Sequence, residues 1–216
     1  MRKGKCILIG AGDLTVGAIN KTEADFVIAI DGGMAYLNLL ELEPDLIIGD
    51  FDSVTETDRK ALAILERDYP EKVIRLNPEM DDTDMLYALK YALERGFREF
   101  RLYAATGGRI DHTMANIQCL LYLKNHEATG YLMDGNAMTM IIKNETVCFQ
   151  EDLEGYLSLL CLSNKAEGVD IRGMKYELTD YTMTNDFPIG ISNEFIGKKA
   201  EISVKNGELV CMISYV

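Results

Sequence analysis

Carboxylates recur in this chain beside glycine, in four short blocks: Asp31-Gly32-Gly33, Gly49-Asp50-Phe51-Asp52-Ser53, Asp81-Asp82-Thr83-Asp84 and Gly107-Gly108-Arg109-Ile110-Asp111-His112. Gathered in one place, so many anions would repel one another and raise some of their pKa values. A divalent cation resolves that conflict, and Mg2+ favours carboxylate oxygens together with waters and substrate phosphates. The glycine pairs let backbone approach a ligand closely, and their N–H groups beside helix N-termini can bind phosphate oxygens. Arg109 adds a planar donor fork suited to a polyphosphate. Each block alone is weak evidence, because Asp-Gly-Gly is commonly a turn and Asp81 to Asp84 could merely cap a helix.

What gives the blocks force is the elements that position them. Short apolar runs at 6–9, 26–30, 46–48, 73–76, 100–103 and 131–133 end at Gly, Asp or Pro and predict buried strands. Between them, Ala61, Leu62, Leu65 and Tyr69, then Leu86, Leu89, Tyr91 and Leu93, then Met114, Ile117, Leu120 and Leu121 fall at helical spacing, and Gly96 predicts a C-cap. Strand and helix in alternation imply a mostly parallel, doubly wound, Rossmann-like sheet over residues 1–134. The four blocks follow its strands, so all lie at the carboxyl edge where open α/β sheets bind ligands.

After Asp134 the rhythm changes to successive strands, at 138–142, 146–149, 156–162, 169–172, 201–204 and 208–213. Asn206-Gly207 is a strong hairpin signal that would pair Val204 with Leu209 and Ile202 with Cys211, all four on one buried face. Residues 135–216 therefore read as a second, all-β domain of sandwich or barrel type.

Composition excludes other classes. With 22 Lys+Arg against 35 Asp+Glu the net charge is −13, and no basic stretch offers a nucleic-acid groove or a polybasic membrane anchor. No segment approaches a membrane span, and the apolar run after Met1-Arg2-Lys3 is too short for a signal peptide. Five cysteines without metal-ligand spacing read as reduced core residues, which together predicts a cytoplasmic protein. Gly12 to Gly17 has P-loop glycine spacing but lacks its lysine, and Gly10-Ala11-Gly12 opens a dinucleotide fingerprint that Thr15 breaks. A turn after the first strand, near a nucleotide, is what remains. His112 is expected to order the start of the helix after Arg109, His126 to be exposed, and two histidines make a His-based zinc site an unsuitable reading.

Taken in order, with Pro44-Asp45 ahead of Gly49, Gly173-Met174-Lys175-Tyr176, and Ser192-Asn193 after Gly190, these blocks resemble the thiamine pyrophosphokinases over roughly residues 31 to 193. The resemblance implies an α/β nucleotide- and Mg2+-binding catalytic domain followed by a β-sandwich that binds thiamine and dimerises. It implies transfer of the terminal two phosphates of ATP, as a unit, to the hydroxyethyl oxygen of thiamine, leaving AMP. Asp50, Asp52 and Asp81 would hold Mg2+, and Arg109 would act on the transferring group. Contacts to ATP and its phosphates would come from Asp31, Gly32, Gly33, Ser53, Thr83, Asp84, Gly107, Gly108, Arg109, Asp111 and His112. Thiamine would meet Tyr176, Ser192 and Asn193; Tyr176 stands where some relatives have Trp, and the chain has no Trp. A homodimer with active sites between its subunits follows from the resemblance alone. Two other readings stay open on the residues: a haloacid-dehalogenase-like phosphohydrolase, whose nucleophile motif Asp50-Phe51-Asp52-Ser53-Val54 imitates, and a non-catalytic ATP- or thiamine-binding sensor.

Overall fold

The structure, a computed structural model, describes residues 2–52 and 54–216. The chain divides into two compact units, Met1–Gly135 and Asn136–Val216.

Among the described residues the first unit carries six strands: β1 (Cys6–Ile9), β2 (Phe26–Ile30), β3 (Leu46–Gly49), β4 (Val73–Arg75), β5 (Glu99–Tyr103) and β6 (Thr129–Asp134). All pair in parallel, in the order β6-β5-β1-β2-β3-β4. β1 and β3 are buried along their whole length, which is why they read as unbroken apolar runs. The α-helices of the described residues here are α1 (Glu56–Asp68), α2 (Asp84–Glu94) and α3 (Ile110–Asn125), each between two strands. Thr55 and Thr83 cap α1 and α2 by accepting from the backbone N–H of Asp58 and Leu86. α2 ends where Gly96 turns left-handed at φ 86°, its N–H donating to the Leu93 carbonyl.

Alternation is not strict. Residues 10–25 join β1 to β2 without a helix, and only a 3-10 helix at Asp31–Tyr36 lies between β2 and β3. Ile19, buried, with Leu14 and Val16 against the same core cluster, covers sheet that a helix would otherwise cover. Met114, expected on the buried face of α3, is 52% exposed; that helix packs through Ile117, Cys119, Leu120 and Leu123.

The second unit holds β7 (Ala137–Lys143), β8 (Thr146–Phe149), β9 (Gly155–Cys161), β10 (Lys165–Arg172), β11 (Leu178–Thr184), β12 (Gly190–Glu194), β13 (Ala200–Ser203) and β14 (Glu208–Tyr215). They form two antiparallel groups, ordered β12-β9-β14-β7 and β11-β10-β13-β8. The expected hairpin across Asn206-Gly207 does not form. Ile202 pairs with Ile171 and Val147, whereas Cys211 pairs with Met140 and Leu159, so β13 and β14 belong to different groups. Asn206 instead makes a bridge with Glu167, and the Gly207 N–H donates to the Asn144 side chain. Ile202, Val204, Leu209 and Cys211 are all buried nonetheless. Alternation fixes which face is buried and leaves open whether the neighbouring strand lies in the same sheet. β11 and β12 escaped the sequence pattern because both are edge strands with mostly exposed or half-buried residues.

All five cysteines are free; four are buried, and Cys148 is exposed on the edge strand β8. Among the described residues no helix is long and apolar enough to cross a membrane.

Candidate active site

Strand β1 lies between β5 and β2, and the chain winds outward from it in both directions, so the sheet reverses its order between β1 and β5. Loops leaving strands on either side of such a point diverge and leave a crevice. Here it is a cavity of about 650 Å3, lined by the turn Gly10–Asp13 after β1, Asp31 after β2, Asp50 and Asp52 after β3, Thr83 and Asp84 at the start of α2, and residues 104–109 after β5.

The carboxylates meet because of what stands next to them. A Cβ on Gly49 would lie 2.9 Å from the Asp31 Cα, so only a glycine lets the end of β3 come this close to the end of β2. Asp31 and Phe51 both adopt left-handed backbone, at φ 47° and 61°, an uncommon state for residues with a Cβ and one concentrated at functional sites. Phe51 is buried, and Asp50 accepts the Asp52 N–H at 3.0 Å. Thr83 as the cap makes Asp84 the first residue of α2. As a result, one oxygen each from Asp31, Asp50 and Asp84 falls within 4.8 Å of the others. Burial first, and then the charges of Asp31, Asp50 and Asp52, push the Asp84 carboxyl up to about 6.

The remaining expected residues distribute unevenly. Asp52, Thr83, Gly107, Gly108, Arg109 and His112 line the cavity; Asp81 and Asp111 do not. Asp81, three residues before Asp84, is exposed on the turn ahead of the cap, and its neighbour Asp82 pairs with Lys90 at 2.7 Å. Asp111 is occupied by Arg109 in a two-pronged ion pair, Nη2 to Oδ2 at 2.5 Å, with both side chains exposed. Gly32 and Gly33 face other parts of the chain, not the cavity. A Cβ on Gly33 would stand 2.1 Å from the Ile9 carbonyl oxygen, so its bareness seats the 3-10 helix on β1. Ser53 lies outside the described residues. His126 is exposed, as expected, and donates from Nδ1 to the Tyr122 carbonyl at 2.8 Å.

Several lining residues belong to none of the four blocks: Gly10, Ala11, Gly12, Asp13, Ala104, Ala105, Thr106 and Asn116. Gly10-Ala11-Gly12, a broken fingerprint in the sequence, was the available signal for the first of these. A Cβ on Gly12 would lie 2.2 Å from the Thr106 carbonyl oxygen, so this glycine serves contact between two loops.

In the second unit, Tyr176 is 63% exposed on the turn after Gly173, whose φ is 71°. Asn193 is buried, with its amide committed to that turn: Oδ1 accepts the Tyr176 N–H at 3.0 Å and Nδ2 donates to the Tyr176 carbonyl at 2.7 Å. Ser192 is exposed, at φ 58°, and its N–H donates to Ser158 Oγ. A smaller cavity of about 340 Å3 in this unit, lined among others by Glu151, Glu154, Tyr156 and Phe195, includes none of these three.

Clustered carboxylates and glycine-rich loops at the switch point of a parallel sheet place the chain in the class of α/β proteins with a ligand site at the carboxyl edge of the sheet. Comparison with known proteins narrows it. Residues 20–132 match the family model of the thiamin pyrophosphokinase catalytic domain, and residues 144–209 that of the thiamin pyrophosphokinase vitamin B1 binding domain. The chain belongs to the thiamine pyrophosphokinase family, enzymes that transfer a pyrophosphoryl group from ATP to thiamine. It is 30% identical over 189 residues to the thiamine pyrophosphokinase of Bacillus subtilis, covering 87% of this chain and 86% of that one. The crystal structure of the Bacillus subtilis thiamine pyrophosphokinase superposes with a TM-score of 0.81 at 26% identity, over 99% of this chain and 100% of that one. That of the Geobacillus thermodenitrificans protein does so with a TM-score of 0.81 at 27% identity, over 99% and 98%.

Proposed function

We propose that the cavity of the first unit binds ATP with Mg2+ and is where the two terminal phosphates pass, as a unit, to the hydroxyethyl oxygen of thiamine, giving thiamine diphosphate and AMP. The observation that carries this reading is the convergence of Asp31, Asp50 and Asp84 within 4.8 Å, beside glycine-rich loops. The donor set fits the ion: three carboxylates, all oxygen, with Asp52 on the same cavity wall. Bound there, Mg2+ supplies neutralisation of the phosphate charge and alignment of the transferring group. Asp81, in the metal set that the family resemblance implies, has less support than Asp84 because it does not line the cavity.

The chain's own residues supply the rest. Backbone N–H groups of Gly107 and Gly108 accommodate phosphate oxygens, and Arg109, exposed on the cavity rim, offers its guanidinium to the same charge. Thr83 and His112 border the phosphates, and Asp111 orients Arg109 by their ion pair. Attack of the thiamine hydroxyl falls on the β-phosphorus; the O–P bond to thiamine forms as the bond to the α-phosphate oxygen breaks, AMP departs, and the hydroxyl proton is released. A loose transition state places most of the demand on charge and alignment.

Tyr176 presents an aromatic face suited to a thiazolium cation and a flat aminopyrimidine, with Asn193 holding its turn and Ser192 next to Asn193 in the chain. On this reading the first unit is a Rossmann-like catalytic domain, the second a β-sandwich that binds thiamine and dimerises, and the enzyme is a cytoplasmic homodimer.

The test incubates the purified protein with thiamine, ATP and Mg2+ and identifies the nucleotide product. AMP in equal amount with thiamine diphosphate is expected. ADP, or free phosphate released without thiamine, would overturn the assignment.

A further inference from the structure

Asn116 lies outside every block that the sequence brought forward, and the chemistry above makes no use of it. It sits on α3, lines the cavity, and donates from Nδ2 to the Ala105 carbonyl at 2.7 Å. The carbonyls on either side are held from the other loop: Ala104 accepts the Gly12 N–H and Thr106 the Asp13 N–H, each at 2.8 Å. Three successive carbonyls of the β5 loop are thus engaged by groups outside it.

In a trans peptide the N–H points opposite to the preceding carbonyl, so anchoring a carbonyl aims the next residue's amide. The three anchored carbonyls aim the N–H groups of Ala105, Thr106 and Gly107. Among the described residues these amides, and that of Gly108, have no acceptor, and the same residues line the cavity. Gly107 and Gly108 are both left-handed, at φ 80° and 59°, and consecutive amides at a tight turn of this kind make a concavity for an anion. Two of the three anchors are backbone groups of the β1 loop. Asn116 is the side-chain anchor, and it controls the middle amide.

We propose that Asn116 is a positioning residue for the polyphosphate of the nucleotide: by holding the Ala105 carbonyl it turns the Thr106 N–H toward a phosphate oxygen. The inference rests on reading this cavity as the ATP site.

The experiment titrates full-length wild-type protein, Asn116→Ala and Asn116→Asp with ATP and with inorganic pyrophosphate in the presence of Mg2+, by calorimetry, and measures KM for both substrates. Asn116→Asp keeps the shape while exchanging the donor for an acceptor, so it answers the question if the alanine variant fails to fold. Expected are affinities for ATP and pyrophosphate weakened about tenfold, KM for ATP raised in step, and KM for thiamine unchanged. Unchanged ATP and pyrophosphate affinity in a folded variant overturns the proposal, as does an equal loss for thiamine and ATP. Absence of ATP binding by the wild-type protein overturns the cavity reading itself.

Discussion

Asp84 carries the pH behaviour of the site. Its carboxyl, raised from 3.8 to about 6 by burial and by the charges of Asp31, Asp50 and Asp52, is harder to ionise in the folded protein than in the unfolded chain. A raised carboxylate destabilises the fold progressively as pH climbs from about 4 through 6, because the folded state then holds a proton the unfolded state has released. A divalent cation bound to the ionised group reverses that cost. Saturating Mg2+ is therefore expected to raise the melting midpoint by roughly 5 °C at pH 7.5 and by much less at pH 5. Asp84→Asn should erase the Mg2+ effect at both pH values, and Asp81→Asn should retain it; the reverse pattern would move the metal to Asp81. The sequence made the acidic blocks legible because aspartate next to glycine is conspicuous. Which aspartate of the block 81–84 lines the cavity was beyond it, since that depends on where Thr83 starts the helix.

At the scale of elements, β1, β2 and β3 could be read closely from their apolar runs, because burial on both faces leaves few polar residues to blur the ends. Connections were less legible. In the stretch 10–25, Leu14, Val16 and Ile19 pack on the core without any helical period, and Gly33, which suggests a ligand loop, packs a 3-10 helix against β1. That packing is testable. Gly33→Ala would put a methyl group into the Ile9 carbonyl, and overpacking of this kind costs about 1–3 kcal/mol. A thermal melt should show the variant's midpoint several degrees lower, and an unchanged midpoint would mean that the 3-10 helix is free to move off the strand. In the second unit the faces were legible and the partners were not, as Ile202 and Cys211 illustrate: both are buried, each in a different group of strands.

At the scale of the whole molecule, the net charge of −13 separates into a solvated majority and the few carboxylates at one sheet edge, which suit a Mg2+-bound nucleotide and a cationic acceptor. The proposed homodimer has a surface to draw on. Phe187, Ile189 and Ile191 are 58%, 46% and 50% exposed on and just before β12, an edge strand with unblunted apolar character. Ile191→Lys is expected to shift the protein toward monomer in sedimentation, and a variant that remains fully dimeric would exclude this strand from the interface. The order of strands in the second unit also governs how it can be made. β14 is the inner strand between β9 and β7, and β13 the inner strand between β10 and β8, so both groups are closed by segments synthesised after all their partners. Until those strands leave the ribosome, β9 can pair with β12 and β10 with β11, but β7 and β8 lack their inner partners and each group keeps an open inner edge, so a nascent chain stalled near residue 195 would be a substrate for chaperones or aggregation, not a smaller working enzyme.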